Sequence, residues 1–158
     1  MDPRTEMREM EGLWQVGPHS DAFQLRRRTS KWGEPIREDV IEGIQRGEPA
    51  AIEDGVLFLE VSPRYFRSGY FKASIASNLK RAPLTDSQRE RLRQIILAAV
   101  DSDVGPEFNE YARLAVVVAD AAFLAQVQAR ERAAEGWVRD RLRRLLMLCR
   151  GHRGDLFV

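Results

Sequence analysis

The sequence predicts an all-α fold: about six helices in a compact helical-hairpin bundle, with a repeat-like array as the other architecture, preceded by an irregular N-terminal arm. Three observations predict it. Beyond residue 33, apolar residues recur at three- and four-residue spacing. Prolines and capping residues stand where those runs begin, and glycines stand where they end. At 158 residues the chain has the size of one domain, which buries roughly 70% of the surface of its unfolded form without a metal or disulfide. The division expected is an arm over 1–33 and a helical domain over 34–158.

Residues 1–33 show no sustained period. Gly12, Gly17 and Pro18 interrupt scattered Trp14, Phe23 and Trp32, and Phe23-Gln24-Leu25 is short enough to pair as a strand. Tryptophans of this size are expected to anchor the arm on the body, or to serve a protein partner. The tripeptide Gly-Glu-Pro then occurs twice, at 33–35 and 47–49, each time setting proline where a first helical turn tolerates it. Helices are expected over about 35–46, with Ile36, Val40, Ile41 and Ile44 on one face, and over 49–60, with Ile52, Val56 and Leu59. For the second, a turn at Glu53-Asp54-Gly55 into a buried strand competes with helix, and helix is preferred.

Ser62-Pro63 reads as a cap and first-turn proline opening a helix to Arg81, with Ser68-Gly69 a point of interruption. Thr85-Asp86-Ser87-Gln88 is a capping box for a helix over 86–101. Pro106 opens the longest expected helix, to about Glu135. On a helical wheel Leu114, Val117, Val118, Ala121, Leu124 and Ala125 share one face, and Ala115, Ala119 and Ala122 form another. A helix apolar on two sides belongs at the centre of a fold. Gly136 separates it from a last helix, 137–150.

Charge is unevenly placed within a net of +1. Residues 1–60 carry 8 Lys/Arg against 13 Asp/Glu, residues 61–100 carry 8 against 2, and residues 101–158 carry 9 against 9. Arg64, Arg67, Lys72, Lys80 and Arg81 fall in an acid-free stretch and are interleaved with Tyr65, Phe66, Tyr70 and Phe71. Cations beside aromatics suit a phosphate backbone with stacked bases. The last helix sets Arg139, Arg143, Arg144 and Arg150 against an apolar stripe of Val138, Leu142, Leu145, Leu146 and Cys149. That is a basic amphipathic helix, suited to phosphates, an acidic protein or an anionic surface.

Residues fit for chemistry are few. A single cysteine and two separated histidines, His19 and His152, argue against a metal site and against a disulfide framework. Ser20-His19-Asp21 are neighbours in sequence, whereas a catalytic triad converges in space. Asp120 interrupts an apolar run with no basic residue one turn away, which marks it as a candidate buried acid. No Gly-rich phosphate loop is present. The apolar run around residues 114–119 is far below the roughly 20 residues of a membrane span, so no transmembrane segment is expected. The charged N-terminus and lone cysteine suggest a cytoplasmic setting.

The function expected from these residues is a non-enzymatic protein-interaction or adaptor module without cofactor or metal, using Trp14 and Trp32 toward a protein partner. The alternative is a nucleic-acid-binding protein using the basic surfaces 64–81 and 139–153.

Overall fold

The computed structural model describes residues 1–103, 105 and 107–154, with side chains through His152. Among them every regular element is helical. Nine α-helices run α1 Pro3–Val16, α2 Asp21–Thr29, α3 Glu42–Gln45, α4 Pro49–Val61, α5 Ser68–Leu79, α6 Asp86–Val100, α7 Glu107–Val118, α8 Ala121–Ala133 and α9 Gly136–Gly154, and a π-helical turn, Arg37–Ile41, leads into α3. None is long and apolar enough to cross a membrane.

The expected irregular arm is two helices. Asp2 caps α1 by accepting from the Thr5 amide at 3.1 Å, with Pro3 in the first turn. Ser20 caps α2 by accepting from Phe23, and its hydroxyl donates to the Gly17 carbonyl. Met7, Met10 and Phe23 are fully buried, so this region is part of the core. No strand forms at 23–25.

After α2 the chain turns sharply. A Cβ on Gly33 would lie 1.9 Å from the Arg27 carbonyl oxygen, so only glycine lets the turn close on the end of α2. This turn drives Trp32 inward, where its ring stacks on Phe58 at 6.0 Å and its carbonyl accepts from the Tyr65 hydroxyl. Ile36, Val40, Ile41 and Ile44 are buried as the spacing predicts. Residues 49–61 are helix, with Pro49 in the first turn. Burial of Ile52, Gly55, Val56, Phe58 and Leu59 on several sides explains why the segment also reads as a buried strand.

Ser62 does not open a helix. It ends α4 in the left-handed region, φ 50°, and α5 starts six residues later, after Arg67 at φ 60°. The capping box of α6 forms as expected: the Gln88 amide donates to Thr85 Oγ1 at 3.2 Å, and Gln88 Oε1 accepts from the Thr85 amide at 3.0 Å.

The long helix expected from Pro106 to Glu135 is broken at Asp120, and Pro106 itself lies outside the described residues. Asp120 caps α8, accepting from Phe123 at 2.7 Å. The last carbonyls of α7 are met from α6, where Arg89 donates to Val117 and Arg93 to Val118. The helical phase restarts at the break. Phe123 and Val127 are buried on α8, and Ala121 and Ala125, placed on the core face by a continuous wheel, are exposed.

α7 is the central element and packs on α5, α6 and α9, while α8 packs on α9 as a hairpin. The expected stripe on α9 is in place, with Leu142, Leu145, Leu146 and Cys149 buried. Full burial of each such side chain contributes about 1.5–3 kcal/mol.

Candidate functional site

The two basic segments lie on separate helices. α5 and α9 both pack on α7 and make little or no contact with each other. Within the first segment the cations diverge. Lys72 is buried, Lys80 pairs with Glu110 at 3.0 Å, and Arg64, Arg67 and Arg81 are exposed. On α9, Arg139 and Arg143 share Glu131 of α8 at 3.1 and 2.9 Å, and these two guanidiniums hold its carboxyl below the ordinary range, Arg143 most strongly. Arg144 and Arg150 are exposed; Arg153, the last cation of that surface, has its side chain outside the described residues.

The other sequence candidates are resolved by their surroundings. Asp120 is not a buried acid. Its side chain is 47% exposed and lies 3.3 Å from Arg93, a partner on another helix that helical spacing does not reveal. Trp32 is 1% exposed and presents no surface to a partner. Trp14 is half-buried against the rings of Phe23 and Phe66 at 5.2 and 6.0 Å. Both tryptophans do anchor the N-terminal region. Ser20 is occupied as a helix cap, so the neighbouring His19 gains no nucleophile. Among the described residues no three metal-ligating side chains cluster.

What the fold does assemble is a concave surface of about 490 Å³ bounded by Arg27 and Glu34, Arg37 on the π turn, Phe66 and Arg67 of the link before α5, and Tyr70 and Phe71 in its first turn. Its geometry follows from the short link after α4. Tyr65 points inward, 5% exposed, and its neighbour Phe66 points outward, 38% exposed. Two guanidiniums cover the Phe66 ring, Arg27 at 4.9 Å and Arg67 at 5.5 Å from its centre. In the first turn of α5, Tyr70 is 70% exposed. Arg27 is tied to Glu34 at 2.8 Å, and among the described residues no carboxylate pairs with Arg37 or Arg67.

Sequence reasoning marks Phe66, Arg67 and Tyr70 through their spacing but misses Arg27 and Arg37. These reach the site only because the Gly33 turn folds the end of α2 back beside the 64–71 link, a long-range contact with no local signal.

Fold and surface together define a small all-helical domain whose exposed aromatic residues are framed by arginines. The chain matches no protein-family model, no curated protein and no solved structure.

Proposed function

We propose that the chain is a non-enzymatic protein-interaction module that docks an acidic, aromatic- or leucine-containing segment of a partner on the surface formed by Phe66, Arg67, Tyr70 and Arg37. The observation that carries this reading is Tyr70, a tyrosine 70% exposed that shares a concavity with two guanidiniums, Arg37 and Arg67, neither paired with a carboxylate among the described residues. Tyrosine, phenylalanine and arginine are the residues that interfaces concentrate and that supply most of their energy. Net positive charge in the concavity favours an acidic occupant.

Nucleic acid is the less favoured occupant because several of the expected cations are engaged or buried, and the exposed ones, Arg64, Arg67, Arg81, Arg144 and Arg150, are divided between two segments. Arg139 and Arg143 share the carboxylate of Glu131, Lys80 pairs with Glu110, and Lys72 is buried. A backbone contact needs several cations in line.

Panning a library of random 12-residue peptides on the intact chain tests the proposal. Enriched peptides are expected to carry Asp or Glu beside an aromatic residue or leucine, and to lose about tenfold or more in affinity on Tyr70→Ser or Arg67→Glu. Arg139→Glu with Arg143→Glu should leave their binding unchanged. Peptides indifferent to Tyr70 and Arg67 would overturn the reading, as would single-stranded oligonucleotides that bind more tightly than any peptide and lose affinity steeply with salt.

A further inference from the structure

A second concavity, of about 410 Å³, is lined by residues of α5, α6 and α7, with Leu59 of α4 and Arg64 of the link after it. Three polar side chains of buried residues line it, and none makes a hydrogen bond or ion pair among the described residues; of the three, the Tyr111 hydroxyl is the one also shut off from solvent. Lys72 is 3% exposed, and no carboxylate lies within ion-pair distance of its ammonium. Glu107 is 6% exposed and accepts no hydrogen bond. Tyr111 is 2% exposed and its hydroxyl is unsatisfied.

Buried polar groups are rarely left unmatched, because each costs the desolvation of its donors or acceptors. Here an ammonium, a carboxylate and a phenol occur together on two facing helices. Lys72 follows Ser68 by one turn of α5, and Tyr111 follows Glu107 by one turn of α7. Gly69 permits the approach: a Cβ there would lie 3.3 Å from Glu107 Oε2. The charges of Lys72 and Glu107 feel one another, and burial still pulls the ammonium down from 10.5 to about 8. The ends that complement each other are therefore adjacent but held apart.

We infer that this cleft binds a small zwitterion of the amino-acid class, its carboxylate held by Lys72 and the Tyr111 hydroxyl and its ammonium by Glu107. The choice follows from charge. A simple anion satisfies Lys72 and Tyr111 but lies against the buried carboxylate of Glu107, and a simple cation satisfies Glu107 but lies against Lys72. Only a ligand carrying both groups within a few ångströms satisfies all three without a repulsive contact. Arg91, which also lines the cleft, is engaged by Glu60 at 3.1 Å and by Glu53. The exposed Arg64 and Asp103 at the margin balance each other in charge and leave the choice of ligand to the buried groups.

Titration of the full chain with each standard α-amino acid, followed by thermal shift and by amide chemical shifts, tests the inference. At least one amino acid should bind saturably, with acetate and methylammonium each weaker by about tenfold or more. Lys72→Met and Glu107→Gln should each weaken that amino acid by a similar factor. Tyr111→Phe, which removes one oxygen and keeps the ring, should weaken it less. Both charge-removing variants eliminate a buried charge and are expected to fold, which their far-ultraviolet spectra verify. Absence of binding by any amino acid at 10 mM, about ten times the millimolar limit of weak specific binding, would overturn the inference. So would acetate or inorganic phosphate binding as well as the best amino acid, or binding that survives both Lys72→Met and Glu107→Gln.

Discussion

Residues 139–153 on α9 carry six cations and residues 64–81 carry five, yet the fold meets them differently. On α9 three of the cations are engaged internally, while Arg144 and Arg150 stay exposed. Arg139 and Arg143 converge on Glu131, and Arg141 donates to the carbonyls of Ala99, Val100 and Ser102 at the end of α6 while its guanidinium lies over Phe108 and Trp137 at 4.7 and 4.5 Å. Among the described residues no carboxylate lies within ion-pair distance of Arg67 or Lys72, so one remains on the surface and the other is buried with Glu107 acting on it from farther away. The difference teaches that cation density along a chain does not measure cation availability. What decides is whether another element brings carboxylates or free helix carbonyls to meet them.

The largest expected effect sharpens that contrast at Lys72. Its pKa of about 8 in the fold, against 10.5 when solvated, has burial as the main cause; the charge of Glu107 opposes the shift and that of Arg64 adds to it. Around the ammonium stand Glu107 and Tyr111 from α7, Arg91 from α6, Glu60 from α4, Arg8 and Glu11 from α1, and Arg64 and Asp103 from the links. Below pH 8 both folded and unfolded chains hold the proton, and the fold bears the full cost of a buried charge. Between 8 and 10.5 the unfolded chain binds more protons, so stability attributable to this residue rises with pH. Lys72→Met is therefore expected to be more stable than the parent at pH 7 by about 3 kcal/mol, with the gap closing toward pH 10.5. Urea unfolding of both chains at the two pH values measures this directly. A variant less stable than the parent at pH 7 would mean that Lys72 is paired in solution.

On α9 the strongest expectation concerns Arg141. Arg141→Met removes a charged donor from three carbonyls and a cation from two aromatic faces, which should cost about 2 kcal/mol. The midpoint of denaturant unfolding should fall with its slope unchanged. A loss no greater than that of an exposed arginine would show that water serves the α6 end equally well.

Most of the fold was legible in the sequence, and the parts that were not share a cause. The buried faces at Ile36–Ile44, Ile52–Leu59 and Leu142–Cys149, and the box at Thr85 and Gln88, follow from spacing and capping within one element. Asp2-Pro3 with Met7, Met10 and Trp14 at helical spacing carried the same signal for α1, but Gly12 and Gly17-Pro18 concealed it. Asp120 was legible as an anomaly and not as a cap, because its carboxylate serves the Phe123 amide ahead of it while Arg93 arrives from α6. The same limit holds for the sites. Phe66 and Tyr70 can be read from a local run, but Glu107 and Tyr111 gain meaning only when α7 is laid against α5.

Asp120 offers a smaller test of how the fold takes up isolated charge. Asp120→Ala should cost about 1 kcal/mol by leaving the first amides of α8 unmet. Asparagine caps nearly as well as aspartate, and the ion pair with Arg93 is half solvated, so Asp120→Asn should change the thermal midpoint little. Equal losses in both would assign the stabilisation to the ion pair instead of the cap.

The smallest effect is expected from reversing the cations that the sequence made most conspicuous. Arg139→Glu with Arg143→Glu replaces two guanidiniums around Glu131 with two carboxylates on a surface where water and salt screen them. The apolar stripe of α9 is untouched, so the helix stays docked through Leu142, Leu145 and Cys149. Thermal stability should therefore scarcely move, and what change there is should shrink as salt is added. Nucleic-acid binding by the α9 face requires the opposite pattern: an affinity for oligonucleotides at low salt that disappears with the double reversal, its logarithm falling by about 0.7–0.9 per phosphate neutralised. Electrophoretic titration of parent and variant at two salt concentrations separates the outcomes. A steep, reversal-sensitive affinity would place the available cations on α9 and end the contrast between the two basic regions.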